Sequence, residues 1–117
     1  MCGFAGVLAF DGSPFRVTEP LVTRMRETLV HRGPDGAGTW VDTDARVGLG
    51  HRRLSIIDPS AAAAQPMASP DGRLHLVFNG EIYNHAALRR ELEGLGHHDW
   101  HTDHSDTEVL LQAFRAW

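Results

Sequence analysis

The chain opens Met1-Cys2-Gly3-Phe4-Ala5-Gly6-Val7, and the remaining segments take their meaning from that run. Phe4 to Phe10 is short, apolar and closed by the turn signal Asp11-Gly12-Ser13-Pro14, so it is expected to form a buried strand. Cys2, the only cysteine, heads that strand. Methionine is usually trimmed before a small residue. Removal of Met1 would leave a thiol and a free amine on one residue, a nucleophile carrying its own general base. By position alone the plainer reading, a small inert hydrophobe, is favoured. Other residues have to decide.

A chain of 117 residues holds one domain with one core. Its 42% hydrophobic and 22% charged residues place it among ordinary globular proteins. All 11 basic residues are arginines, which excludes lysine Schiff-base chemistry and a phosphate-loop lysine. The net charge of −4 and the scattered arginines give no basic stripe, so nucleic acid is not expected as a partner. One cysteine makes no internal disulfide, and the N-terminus lacks the basic flank of a targeting signal, so the cytoplasm is the expected compartment. No apolar run approaches the ~20 residues that span a bilayer, and no membrane partner is expected.

Leu21, Met25 and Leu29 recur behind Thr18 and Pro20, which predicts an amphipathic helix over Glu19 to Val30. His31-Arg32-Gly33-Pro34-Asp35-Gly36 breaks it. Thr39 to Val41, Arg46 to Gly50 and Arg53 to Asp58 read as successive strands, separated by Asp42-Thr43-Asp44-Ala45 and by Gly50-His51-Arg52. Pro59 to Gly72 reads as a long surface loop. Arg73 to Phe78 is expected as a strand, Asn79-Gly80 as a hairpin turn, and Glu81-Ile82-Tyr83 as the returning strand. Asn84 is expected to cap a helix through Leu88, Leu92 and Leu95, ended at Gly94 or Gly96. Ser105 and Glu108 are expected to form a capping box for a last helix carrying Val109, Leu110 and Phe114. Strand-rich segments with helices before and between them suggest an α+β layered domain.

Taken in order, five segments carry a family resemblance: Cys2-Gly3-Phe4-Ala5-Gly6, HRGPDG at 31–36, HRRLSIID at 51–58, NGEIYN at 79–84 and Ser105-Asp106-Thr107-Glu108. Together they resemble class II glutamine amidotransferases over essentially the whole chain. HRGPDG and NGEIYN are most similar to the glutaminase domain of glutamine-hydrolysing asparagine synthetases. The resemblance implies a partial type 2 amidotransferase domain over residues 1–117. Its implied fold is the N-terminal-nucleophile hydrolase αββα sandwich of antiparallel sheets, truncated at the C-terminus, with the family's synthetase domain absent. Missing strands would leave unpaired edges that invite another chain, and a homo-oligomer is left open.

The resemblance also implies roles. Cys2 would attack the side-chain amide of glutamine, and its amine would carry the proton to the departing ammonia. The resulting glutamyl thioester would be hydrolysed by water. The side-chain amide of Asn79 and the N–H of Gly80 would hold the oxyanion. Arg53 would bind the substrate carboxylate, Asp106 and Glu81 its ammonium, and Leu54, Ile56 and Ile57 would supply a pocket wall and backbone groups. No cofactor is implied for this step, and ATP and magnesium belong to the synthetase domain. Glutamine and a synthetase domain or partner chain that receives ammonia are the implied partners. Each residue also has a structural reading: Asn79-Gly80 as a hairpin turn, Arg53 as an exposed strand charge, Asp106 as a helix N-terminal carboxylate, and 54–57 as strand core. A catalytically silent binding or regulatory module is the alternative function. A third reading gathers His97, His98, His101 and His104 as metal ligands, although neither a second cysteine nor an H-E-x-x-H pattern accompanies them.

Overall fold

A computed structural model describes residues 1–56 and 58–117. Three strands form the first sheet: β1 (Gly3–Leu8), β2 (Gly36–Val41) and β3 (Val47–Arg53). The order is β1-β3-β2, antiparallel throughout, with Ala5 opposite Gly50 and Thr39 opposite the same residue from the other side. β3 is therefore the central strand. The Asp42 carboxylate shapes its hairpin with β2 by accepting hydrogen bonds from the Arg46 and Val47 N–H groups at 2.6 and 2.7 Å.

Helix α1 (Glu19–Glu27) is capped by Thr18, whose hydroxyl accepts from the Leu21 N–H at 3.4 Å. It covers one face of the sheet, where a Cβ on Gly48 would come within 2.5 Å of Val22 and 2.7 Å of Val17. The glycines at alternate positions of β3 thus clear the room in which Ala9, Val17 and Val22 make a buried cluster, with Val7 and Val41 packed against it.

The opposite face of the sheet carries Leu49 and His51 of β3 and Trp40 of β2. Trp40 stacks on His75 at 3.9 Å between ring centroids, bringing up a second, two-stranded antiparallel sheet, β4 (Met67–Ala68) and β5 (His75–Leu76). Helices α2 (His85–Gly94) and α3 (Asp106–Ala116) pack on each other, and α3 shares with β5 an apolar hollow lined by Leu76, Leu111 and Phe114. No helix among the described residues is long and apolar enough to cross a membrane.

Several expectations are corrected. β1 is not buried throughout, because the strand alternates and leaves Phe4 and Leu8 half-exposed. α1 stops at Glu27, and turns carry the chain to Arg32. Gly50-His51-Arg52 lies within β3 rather than before a further strand, and the chain leaves the sheet at Arg53. Residues 59–72 are not a surface loop: a short 3-10 helix (Ala61–Ala63) and β4 occupy them, with Ala63, Gln65, Met67 and Ser69 buried. The expected hairpin at Asn79-Gly80 does not form, because Ile82 gives its N–H to the Asp106 carboxylate at 3.0 Å rather than to a returning strand.

The capping expectations at Asn84 and Ser105 fail in their details, since both hold N-cap positions without a side-chain hydrogen bond to the helix. Glu108 instead turns back to the preceding connection. Its carboxylate accepts from the His101 N–H at 2.7 Å and from the Thr102 N–H and hydroxyl at 2.7 and 2.5 Å. Arg89 lies 4.3 Å over the Trp100 ring and donates to the Thr102 and Asp103 carbonyls. These contacts fix where α3 begins, and hence where Asp106 stands.

Candidate functional site

The Cys2 sulfur meets both backbone groups of Leu54: it accepts from the N–H at 3.3 Å, and its thiol lies 3.5 Å from the carbonyl. Arg32 donates from Nε to the Cys2 carbonyl at 3.0 Å. The remainder of the HRGPDG turn is stitched to the end of β3. The Gly33 carbonyl accepts from Arg52 at 3.0 Å, and the Asp35 carboxylate accepts from the Ser55 N–H at 2.8 Å. A turn with no obvious chemistry in the sequence therefore clamps the head of β1 against the residues that follow β3.

Cys2 borders a cavity of about 330 Å³, at the small end of the range for small-molecule pockets. Arg53, Leu54, Ile56, Asn79, Gly80, Glu81 and Asp106 line the same cavity, and Met1 lies exposed at its edge. Ile57, expected in the pocket wall, lies outside the described residues. Residues separated by up to about a hundred positions thus converge on one hollow.

Arg53 donates through one guanidinium nitrogen to the Ser60 carbonyl at 2.9 Å and through the other to the Asp58 carbonyl. The turn that holds it also buries Asp58, whose carboxylate accepts from the Ser60 N–H at 2.9 Å. Hydrogen bonding from Ser60 holds Asp58 below the ordinary carboxylate range against the opposing effect of burial, with a further contribution from the Arg53 and His104 charges. Asp106 is buried at the start of α3. Asn79 is partly buried, while Gly80 and Glu81 are exposed. Neither the Asn79 amide nor the Gly80 N–H makes another hydrogen bond among the described residues.

Several lining residues received no role from the sequence. Asp58 stood inside a recognised segment without one, while Gln65 came from an unpatterned stretch rich in alanine and proline. Phe78, Ser105 and Thr107 also border the cavity. His51 is wholly buried behind it and reaches the Phe78 carbonyl from Nε2 at 3.3 Å. A carbonyl only accepts, so Nε2 bears the proton of the neutral ring. Among the described residues Nδ1 has no hydrogen-bond partner. No group of three or more His, Cys, Asp or Glu among the described residues could hold a metal, so the reading of His97, His98, His101 and His104 as a ligand set finds no geometry here.

Burial pushes His51 below the ordinary histidine value, outweighing the Phe78 carbonyl, and the Arg53 charge acts in the same direction as burial. Below a pH of about 6.5 an unfolded histidine takes up a proton that folded His51 refuses. The unfolded chain then binds more protons, so stability falls as pH drops from about 6.5 through the lower folded value. The His51→Gln variant should lose this part of the acid sensitivity. Thermal unfolding of both proteins between pH 7.5 and 5 measures the difference, and parallel curves would contradict the assignment.

A family model for the glutamine amidotransferase domain matches residues 1–117. Glutamine-hydrolysing asparagine synthetase 1 of Bacillus subtilis is 48% identical over 120 residues, an alignment covering 100% of this chain and 18% of that protein. The amidase chry2 of Gibberella zeae is 38% identical over 130 residues, covering 100% of this chain and 18% of the amidase. Glutamine-hydrolysing asparagine synthetase 1 of Arabidopsis thaliana is 37% identical over 119 residues, with 100% of this chain and 19% of that enzyme covered. The chain thus spans under a fifth of the length of these curated relatives.

Proposed function

The chain belongs to the glutamine amidotransferase domain family, and from that premise we propose that it hydrolyses the side-chain amide of glutamine to glutamate and ammonia. The observation that carries the proposal is the convergence of Cys2, Arg53, Asn79, Gly80, Glu81 and Asp106 on one cavity. Once Met1 is removed, the Cys2 sulfur attacks the amide carbon while the Cys2 amine takes the thiol proton. The Asn79 side-chain amide and the Gly80 N–H stabilise the oxyanion. The amine returns the proton to the departing nitrogen, leaving ammonia and a glutamyl thioester, and water then releases glutamate and the thiol. Arg53 receives the substrate carboxylate through its planar fork, and Asp106 with Glu81 receives the ammonium. Leu54 seats the sulfur, while Ile56 contributes to the wall.

The step requires no cofactor. Ammonia would pass to an acceptor activated by ATP and magnesium on a synthetase domain or partner chain, in a cytoplasmic protein. The finer reading as an αββα sandwich of N-terminal-nucleophile hydrolases is supported by α1 on one face of the first sheet, β5 brought against the other through Trp40 and His75, and the hollow that β5 shares with α3.

A glutamine-like diazo ketone tests the proposal when followed by intact mass. One adduct is expected, on Cys2, in the protein whose mass shows Met1 removed. Equal labelling of a protein extended before Cys2 would overturn the role of the free amine. A processed protein that takes no label would favour a silent binding module.

A further inference from the structure

Asn79 follows a residue whose backbone is held in an unusual way. β5 ends at Leu76, so Phe78 lies beyond the sheet ladder. Its N–H donates to the Gln65 side-chain oxygen at 2.6 Å, and its carbonyl faces Nε2 of buried His51 at 3.3 Å. Two side chains therefore satisfy the backbone groups a strand would otherwise have paired. The acceptor role fixes the orientation of the Gln65 amide, because an N–H needs the carbonyl oxygen. Its nitrogen then donates to the Thr107 hydroxyl at 3.2 Å within a buried pair.

Thr107 is the residue after Asp106 in the first turn of α3, and Asp106 holds the Ile82 N–H at 3.0 Å. The segment 79–81 is thus tied at both ends to one helical turn: at residue 78 through Gln65 and Thr107, and at residue 82 through Asp106. The Gln65 backbone is itself seated closely, since a Cβ on Gly38 of β2 would collide with its main-chain carbonyl group.

We propose that Gln65 is a positioning residue of the site, bridging Phe78 to Thr107 so that the Asn79 and Gly80 donors stand at a fixed distance from the first turn of α3. The inference rests on the glutaminase reading for its kinetic consequence, although the bridge itself is independent of turnover. Asn79 and Gly80, next to the Phe78 end that Gln65 holds, act on the charge that develops in the transition state, whereas Arg53, Asp106 and Glu81, which adjoins the Ile82 end held by Asp106, act on groups already present in the substrate. Loosening the bridge should therefore lower kcat and leave KM nearly unchanged. A displacement of about 1 Å in a catalytic group costs up to about 100-fold, so about 10- to 100-fold is expected for Gln65→Leu, which keeps the bulk and removes both hydrogen bonds. Gln65→Glu should recover most of the rate. Its carboxyl group, protonated or not, retains an oxygen for the Phe78 N–H and a partner for the Thr107 hydroxyl.

The test combines steady-state glutamine hydrolysis with amide hydrogen exchange at Phe78, Asn79 and Gly80 in the purified protein and these variants. Support is a loss confined to kcat in Gln65→Leu, recovery in Gln65→Glu, and faster exchange at Phe78 in Gln65→Leu alone. Unchanged kcat and exchange in Gln65→Leu would overturn the proposal, as would an equal loss in both variants. If Gln65→Leu does not fold, Thr107→Val removes only the outer anchor, and should change kcat and exchange in the same direction by less. No change in that variant would also count against the bridge. If the parent protein leaves glutamine intact, the glutaminase reading fails, while hydrogen exchange still decides whether Gln65 holds this segment.

Discussion

Cys2→Ala is expected to reduce glutamate and ammonia formation from glutamine by about 10⁴-fold or more, to the background of the assay. The chain contains no second thiol. The other hydroxyls bordering the cavity are poor substitutes: Ser105 and Thr107 are buried, Thr107 is engaged with Gln65, and Tyr83 is almost fully exposed. None of the three carries an amine on the same residue. Cys2→Ser should also fail, because a serine hydroxyl gives up its proton to the retained amine far less readily than a thiol does. Both variants should fold and retain glutamine binding, since Arg53, Glu81 and Asp106 are untouched. Calorimetric binding of glutamine to Cys2→Ala, alongside a coupled assay for glutamate, separates the two effects. Retained turnover in Cys2→Ala would remove the nucleophile from the mechanism.

Asn79→Ala is the second large effect. Loss of one oxyanion donor typically costs about 10²- to 10³-fold in kcat, and Gly80 would remain as the other donor. KM should move little, because the oxyanion is absent from bound substrate. Among the described residues the Asn79 amide makes no other hydrogen bond, so truncation removes no structural contact of that kind. An unfolding midpoint close to that of the parent is therefore expected. Steady-state kinetics that show a raised KM with unchanged kcat would assign Asn79 to ground-state binding instead.

The candidate site was more legible in the sequence than the path of the chain that builds it. Short ordered motifs pointed to Cys2, Arg53, Asn79, Gly80, Glu81 and Asp106, and the fold brings these to one cavity. The roles of those residues rest on the resemblance and on the experiments above. Local patterns misled where a distant partner wins the competition for a backbone group. Asn79-Gly80 has the composition of a hairpin turn, but Asp106 takes the Ile82 N–H that a returning strand would have used. Ser105 and Glu108 have the spacing of a capping box, but Glu108 is drawn to three donors at His101 and Thr102. Gln65 gave no periodic or motif signal, because its partners lie 13 and 42 positions away. Such contacts belong to tertiary packing, and no window of sequence contains them.

The alternation along β3 also constrains how the chain can tolerate changes in length. Gly48 and Gly50 look toward α1, while Leu49 and His51 look toward the second sheet. Side chains switch sides at every step, so one extra residue absorbed into the strand after the Asp42–Arg46 hairpin would transpose the two sets. The Leu49 side chain would then be driven into the slot reserved for a bare backbone beneath Val22, and the Phe78 carbonyl would face a glycine. Insertions of even length preserve the parity of β3, and that hairpin is the place to try them.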